Sequence, residues 1–76
     1  MNQYRNEILT SALEAREREV IEYQVNIDNF TSAIQKCGDD PELAEFRGNL
    51  EALLSSSKLE QRKAEIMLEV IQEQLA

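Results

Sequence analysis

Cys37-Gly38-Asp39-Asp40-Pro41 is a helix stop followed at once by a helix start. Gly38 stands where a helix ends on a residue of positive φ, which glycine adopts without a steric penalty. Lys36, in the last turn, complements the negative end of the preceding helix dipole. Asp40 is a good N-cap, and Pro41 fits the first helical position, where its missing N–H goes unused. Asp39, Glu42 and Glu45 add negative charge at the positive end of the second helix. Stop and start lie so close together that the connection is short and the two helices must run antiparallel.

Working outward, the first helix is predicted over about 3–37, the turn over 38–40 and the second helix over about 41–74, one helical-hairpin domain spanning 1–76. In the first helix Leu9, Leu13, Val20, Tyr23, Ile27, Phe30, Ile34 and Cys37 follow alternating steps of three and four, a heptad-like seam broken at Arg16. Asn2 and Asn6 are alternative N-caps. In the second helix the stripe reads Leu43, Phe46, Leu50, Leu53, Ser57, Glu60/Gln61, Ala64, Met67/Leu68, Ile71 and Leu75. Its period lies near 3.6, as expected of a fairly straight helix. Antiparallel pairing brings together residues whose numbers add to about 80. It sets Ile34 by Phe46, Phe30 by Leu50, Ile27 by Leu53, and Leu9 by Ile71. The same rule sets Tyr23 by Ser57 and Val20 by Glu60/Gln61, and it makes an Arg16–Glu60 ion pair inside the hairpin an expectation.

Composition agrees with an all-α chain. Of 76 residues, two are Gly, one is Pro and none is Trp. Short strands would need runs of alternating β-branched and aromatic residues, and the chain has none. A chain this small rarely stabilises itself on one core without a staple, a metal or a partner. Cys37 is the only cysteine and histidine is absent, so a disulfide and an imidazole-based metal site are excluded. Cys37 itself reads as a packed seam thiol. Self-association is the remaining route. Ile21 and Val25 lie roughly opposite the first seam, and Leu59, Ile66 and Val70 lie off the second. Apolar side chains in such positions call for a second copy, and the simplest product is a homodimer forming a four-helix bundle, a short coiled coil of two hairpins.

Fifteen acidic and eight basic side chains give a net charge of −7. Such a surface repels phosphate backbones, so direct nucleic-acid binding is not expected. No segment approaches the ~20 apolar residues of a membrane span, the N-terminus lacks a secretory apolar region, and a lone cysteine fits a reducing compartment. The expected location is the cytoplasm. No catalytic residues, cofactor or metal are expected: the chain offers neither a nucleophile–base pair nor a phosphate-binding glycine loop. The expected class is a binding protein, not an enzyme.

Three features invite a functional reading. Tyr23, Asn26, Asn29 and Arg47 form a candidate recognition patch, because Asn and Asp are weak helix formers and stand out on a Glu-rich surface. Glu65, Glu69 and Glu73 follow one another at four-residue steps and form an acidic ridge, suited to a basic protein partner or to imitation of a nucleic-acid backbone. Ser55-Ser56-Ser57 with Tyr23 makes a polar waist, read either as close packing or as a site for a small, nucleotide-like ligand.

The stretch Glu19-Val20-Ile21-Glu22-Tyr23-Gln24-Val25-Asn26-Ile27-Asp28-Asn29-Phe30, with Ala44-Glu45-Phe46 and Glu60-Gln61-Arg62-Lys63-Ala64, resembles small helical proteins of tailed bacteriophages and prophages. That resemblance implies an accessory protein that binds a host or phage protein in the host cytoplasm. It carries over no catalytic residues.

Overall fold

The computed structural model describes residues 3–76. The chain is a two-helix antiparallel hairpin: α1 (Gln3–Cys37), a 3-10 turn (Pro41–Leu43) and α2 (Ala44–Leu75). It is a thin rod, with extents of 62 × 14 × 14 Å and a radius of gyration of 17.4 Å. A compact chain of this length would have a radius of about 11 Å.

The turn is built as its residues dictate. Gly38 has φ 54°, the one positive φ among the described residues. Its N–H donates to the Gln35 carbonyl at 3.2 Å, closing α1. Asp40 accepts from the Glu42 N–H at 2.9 Å, the expected N-cap bond. Pro41 opens a single 3-10 turn instead of an α-helical one, and α2 begins at Ala44, three residues later than expected. Asn6 lies inside α1 and cannot be its N-cap; Asn2 lies outside the described residues.

The expected α1 seam is buried or half-buried at Leu9, Leu13, Arg16, Val20, Tyr23, Ile27, Phe30, Ile34 and Cys37, and Ala12, Glu19 and Ala33 beside it are half-buried as well. In α2 and the turn they are Leu43, Arg47, Leu50, Leu54, Ser57, Gln61, Ala64, Leu68, Ile71 and Leu75, with Glu60 beside them. This corrects the expected stripe. Phe46 and Leu53 are exposed and Arg47 and Leu54 hold the seam in their place, while of the Met67/Leu68 alternatives Leu68 is the seam residue and Met67 is exposed. Steps of four and three then alternate without a fault, so the period of α2 is 3.5, the same as that of α1. A strict seven-residue repeat imposes a left-handed supercoil, not a straight helix.

Two cross-hairpin bonds fix the register. Arg5 donates to Gln74 Oε1 at 2.9 Å, and Gln61 Nε2 donates to the Val20 carbonyl at 3.1 Å. Paired numbers therefore add to about 80, as expected of the antiparallel hairpin. Ile27 comes level with Leu54, and Ile34 with Arg47, in place of the Leu53 and Phe46 expected.

Size varies along the seam. Tyr23 is level with Ser57, and Arg16 with Ala64, so the longest side chains on α1 oppose the smallest on α2. Ser57 and Ala64 are 8% and 3% exposed, among the most buried residues of the molecule. Among the described residues no large side chain is completely buried.

Candidate functional site

The heptad phase divides the hairpin surface into two unlike flanks. In an antiparallel pair, the residue just before each Leu13/Val20/Ile27/Ile34 position of α1 lies on the same flank as the residue just before each Arg47/Leu54/Gln61/Leu68 position of α2. The Arg5–Gln74 bond joins two such residues. This flank carries Ala12, Glu19, Asn26 and Ala33 from α1, level with Met67, Glu60, Leu53 and Phe46 from α2. It is apolar toward both ends and charged at its middle. There Arg16 pairs with Glu19 at 3.1 Å and Lys63 with Glu60 at 3.0 Å. Each ion pair stays within one helix at three-residue spacing, so the expected Arg16–Glu60 pair is not made. Glu19, one turn along the same helix, satisfies the Arg16 guanidinium first.

The opposite flank is polar. It carries Glu17, Gln24 and Thr31 from α1 and Glu51, Lys58, Glu65 and Gln72 from α2, all exposed. Gln61 reaches out of the seam to this side and donates to Gln24 Oε1 at 2.9 Å. Glu65, Glu69 and Glu73 are exposed along the polar flank and outer face of α2, and among the described residues none of them makes an ion pair. The acidic ridge is therefore open to solvent.

The recognition patch does not assemble around Arg47. The Arg47 guanidinium turns toward the hairpin loop, donating to the Gly38 carbonyl and to Glu51 at 3.1 Å, with Asp39 at 3.8 Å. A cation beside the last carbonyls of α1 is electrostatically favoured by the helix dipole. Arg47 thus clasps the turn. Tyr23 is half-buried in the seam, whereas Asn26 and Asn29 are exposed. At the polar waist Ser57 is buried against the α1 seam while Ser55 and Ser56 face outward. The three serines do not line one cavity.

Ile21, Val25, Leu59, Ile66 and Val70 are all exposed. They do not form one patch. Ile21 and Val25 project from the back of α1, and Leu59 and Ile66 from the back of α2, on opposite sides of the hairpin. Val70 leans toward the apolar flank. Ile21 sits in a shallow open hollow with Glu14, Glu17, Arg18 and Glu22, all on α1. Arg18 donates to Glu22 at 2.8 Å, and that bond, then the charge of Glu22, raises its pKa above the usual arginine value. A hollow walled by one helix cannot enclose a ligand.

The sequence stripe places Phe46 and Leu53 in the seam and leaves Met67/Leu68 open, so it misses Phe46 and Leu53 as surface residues and does not single out Met67. The signal that places them outside is the series Leu43, Leu50, Ser57, Ala64, Ile71, repeating every seven residues with its companions four residues on.

No helix among the described residues is long and apolar enough to cross a membrane, and no group of three His, Cys, Asp or Glu side chains among them is placed to hold a metal. Comparison with protein families, with curated proteins and with solved structures finds no match.

Proposed function

We propose that this chain is a non-enzymatic protein–protein interaction module that works as a homo-oligomer, most simply a dimer of hairpins packed as a four-helix bundle. The observation that carries this reading is the exposure, among the described residues, of ten large apolar side chains, including Ile8, Ile21, Phe46, Leu53 and Ile66, on a hairpin whose seam already holds its own core. Phe46, Leu53 and Met67 recur on one flank, and monomers seldom leave such an apolar face uncovered. The polar flank, with Glu65 and Glu69 exposed and in no ion pair among the described residues, is the face left to meet a further protein, one carrying basic side chains. The resemblance to small phage proteins supports a role as an accessory factor that acts by contact alone.

The test is the solution mass by light scattering, measured across a wide range of concentrations. A mass of twice the chain or more at micromolar concentration is the expected result. A folded monomer throughout would overturn the self-association reading.

A further inference from the structure

From the two unlike flanks we infer which face the second copy covers. The second hairpin docks on the flank formed by Ala12, Ala33, Phe46, Leu53, Met67 and Val70, and the two hairpins lie parallel, with their turns at the same end. This inference rests on the self-association reading and deepens it.

Three observations carry it. The first is area. The hairpin exposes 5822 Å² of accessible surface. A compact monomer of 8.7 kDa would expose about 4,700 Å². The excess, about 1,100 Å², exceeds the roughly 800 Å² that each partner buries in a standard stable interface. A second copy therefore supplies the missing burial.

The second is the contrast between flanks. Phe46, Leu53 and Met67 recur at the same heptad position, separated only by Glu60, and Val70 adjoins them. The matching positions across the hairpin carry no large apolar side chain. Only this flank repeats large apolar side chains at one heptad position, on either side of a charged waist. The backs of α1 and α2 offer isolated pairs on opposite sides of the rod.

The third is the alternation of size. Level with one another on this flank are Ala33 and Phe46, and Ala12 and Met67. A two-fold axis along the rod keeps every residue at its own height and lays α1 of one copy over α2 of the other. Each apolar layer then contains two large and two small side chains on opposite diagonals, an arrangement that fills a bundle core. A two-fold axis across the rod would instead lay α2 on α2, setting Leu53 against Met67 of the second copy and leaving Ala12 beside Asn26. Large would meet large, and small would face a gap. At the waist, Glu19 and Glu60 enter the interface already paired with Arg16 and Lys63, so their charges are locally balanced.

Leu53 and Leu59 provide the test, because both are leucines of α2 that are 49% exposed. Dissociation constants of wild type, Leu53→Lys and Leu59→Lys are measured by sedimentation equilibrium, with helicity checked by circular dichroism. The expected result is a rise of about a hundredfold or more for Leu53→Lys, which places a charge in an apolar layer of the interface, and less than about threefold for Leu59→Lys. If Leu53→Lys loses helicity, Met67→Lys serves in its place. An oligomer that survives Leu53→Lys and Met67→Lys but is broken by Leu59→Lys or Ile21→Lys overturns the flank assignment and leaves self-association intact. A wild type that is monomeric overturns both. Orientation is read from spin labels on Asp39→Cys, with buried Cys37 left unlabelled. A separation well below half of the 62 Å length is expected; a separation near that length overturns the parallel arrangement.

Discussion

Gly38 and Gly48 are chemically the same and physically opposite. Gly38 holds φ at 54°, where any Cβ is strained. Gly38→Ala should destabilise the fold by about 1 kcal/mol. Gly48 lies inside α2, and a Cβ built there meets nothing within 4 Å. Gly48→Ala should stabilise by about 0.5–1 kcal/mol, since alanine has less conformational freedom to lose in the helix. Urea denaturation of both variants at one fixed protein concentration checks the signs; two shifts in the same direction would contradict this account of the turn. Arg47 belongs to the same scale. Its guanidinium bonds the Gly38 carbonyl, Glu51 and Asp39 while its stem covers the end of the seam. Arg47→Leu keeps that cover and removes the clasp. The expected loss is about 1 kcal/mol, read from the same denaturation curves. An unchanged midpoint would show that the clasp contributes nothing to stability.

At the scale of the element, the seam of α2 is where polarity and size are set against stability. Gln61 occupies a seam position and satisfies its amide through Val20 and Gln24. Polar seam residues of this kind fix register at some cost in stability. Gln61→Leu should therefore raise the midpoint, by roughly 1 kcal/mol, and broaden the range of assemblies seen by light scattering. Ala64 is different, because it is 3% exposed and level with Arg16. Ala64→Leu overfills that layer and should cost about 1–3 kcal/mol. A neutral Ala64→Leu would show that the helices move apart freely at the waist. These two positions also show how far the fold could be read from sequence. The seam of α1 and the turn were legible, since Leu, Ile, Val and Phe at alternating three and four steps and Gly38 before Asp40-Pro41 leave one solution. The phase of α2 was not legible from apolarity alone. Phe46 beside Arg47, and Leu53 beside Leu54, invite the stripe to slip by one residue, because hydropathy prefers phenylalanine to arginine and cannot choose between leucines. The slip hides the apolar flank, because it counts Phe46 and Leu53 as core and leaves Met67 undecided against Leu68.

At the scale of the whole molecule, a rod 62 Å long and 14 Å across cannot surround its own apolar side chains. Two chains can, and the coupling of folding to association has a thermal signature. When a folded dimer unfolds to two chains, mass action makes the midpoint depend on concentration. At about 0.7 kcal/mol per residue, two chains of 76 residues unfold with an enthalpy of about 106 kcal/mol near 60 °C. The van't Hoff relation then gives a rise in Tm of about 5 °C for each tenfold increase in protein concentration. A monomeric hairpin would melt at one temperature whatever its concentration. Salt separates this effect from electrostatics. With a net charge of −7 on each chain, bringing two copies together is opposed by repulsion that added salt screens. The concentration series should therefore keep its slope in 0.5 M salt, at about the same 5 °C per decade, while the whole series moves to higher temperature. A slope that vanished in salt would mean that ionic contacts hold the copies together, and the apolar flank would not be the interface.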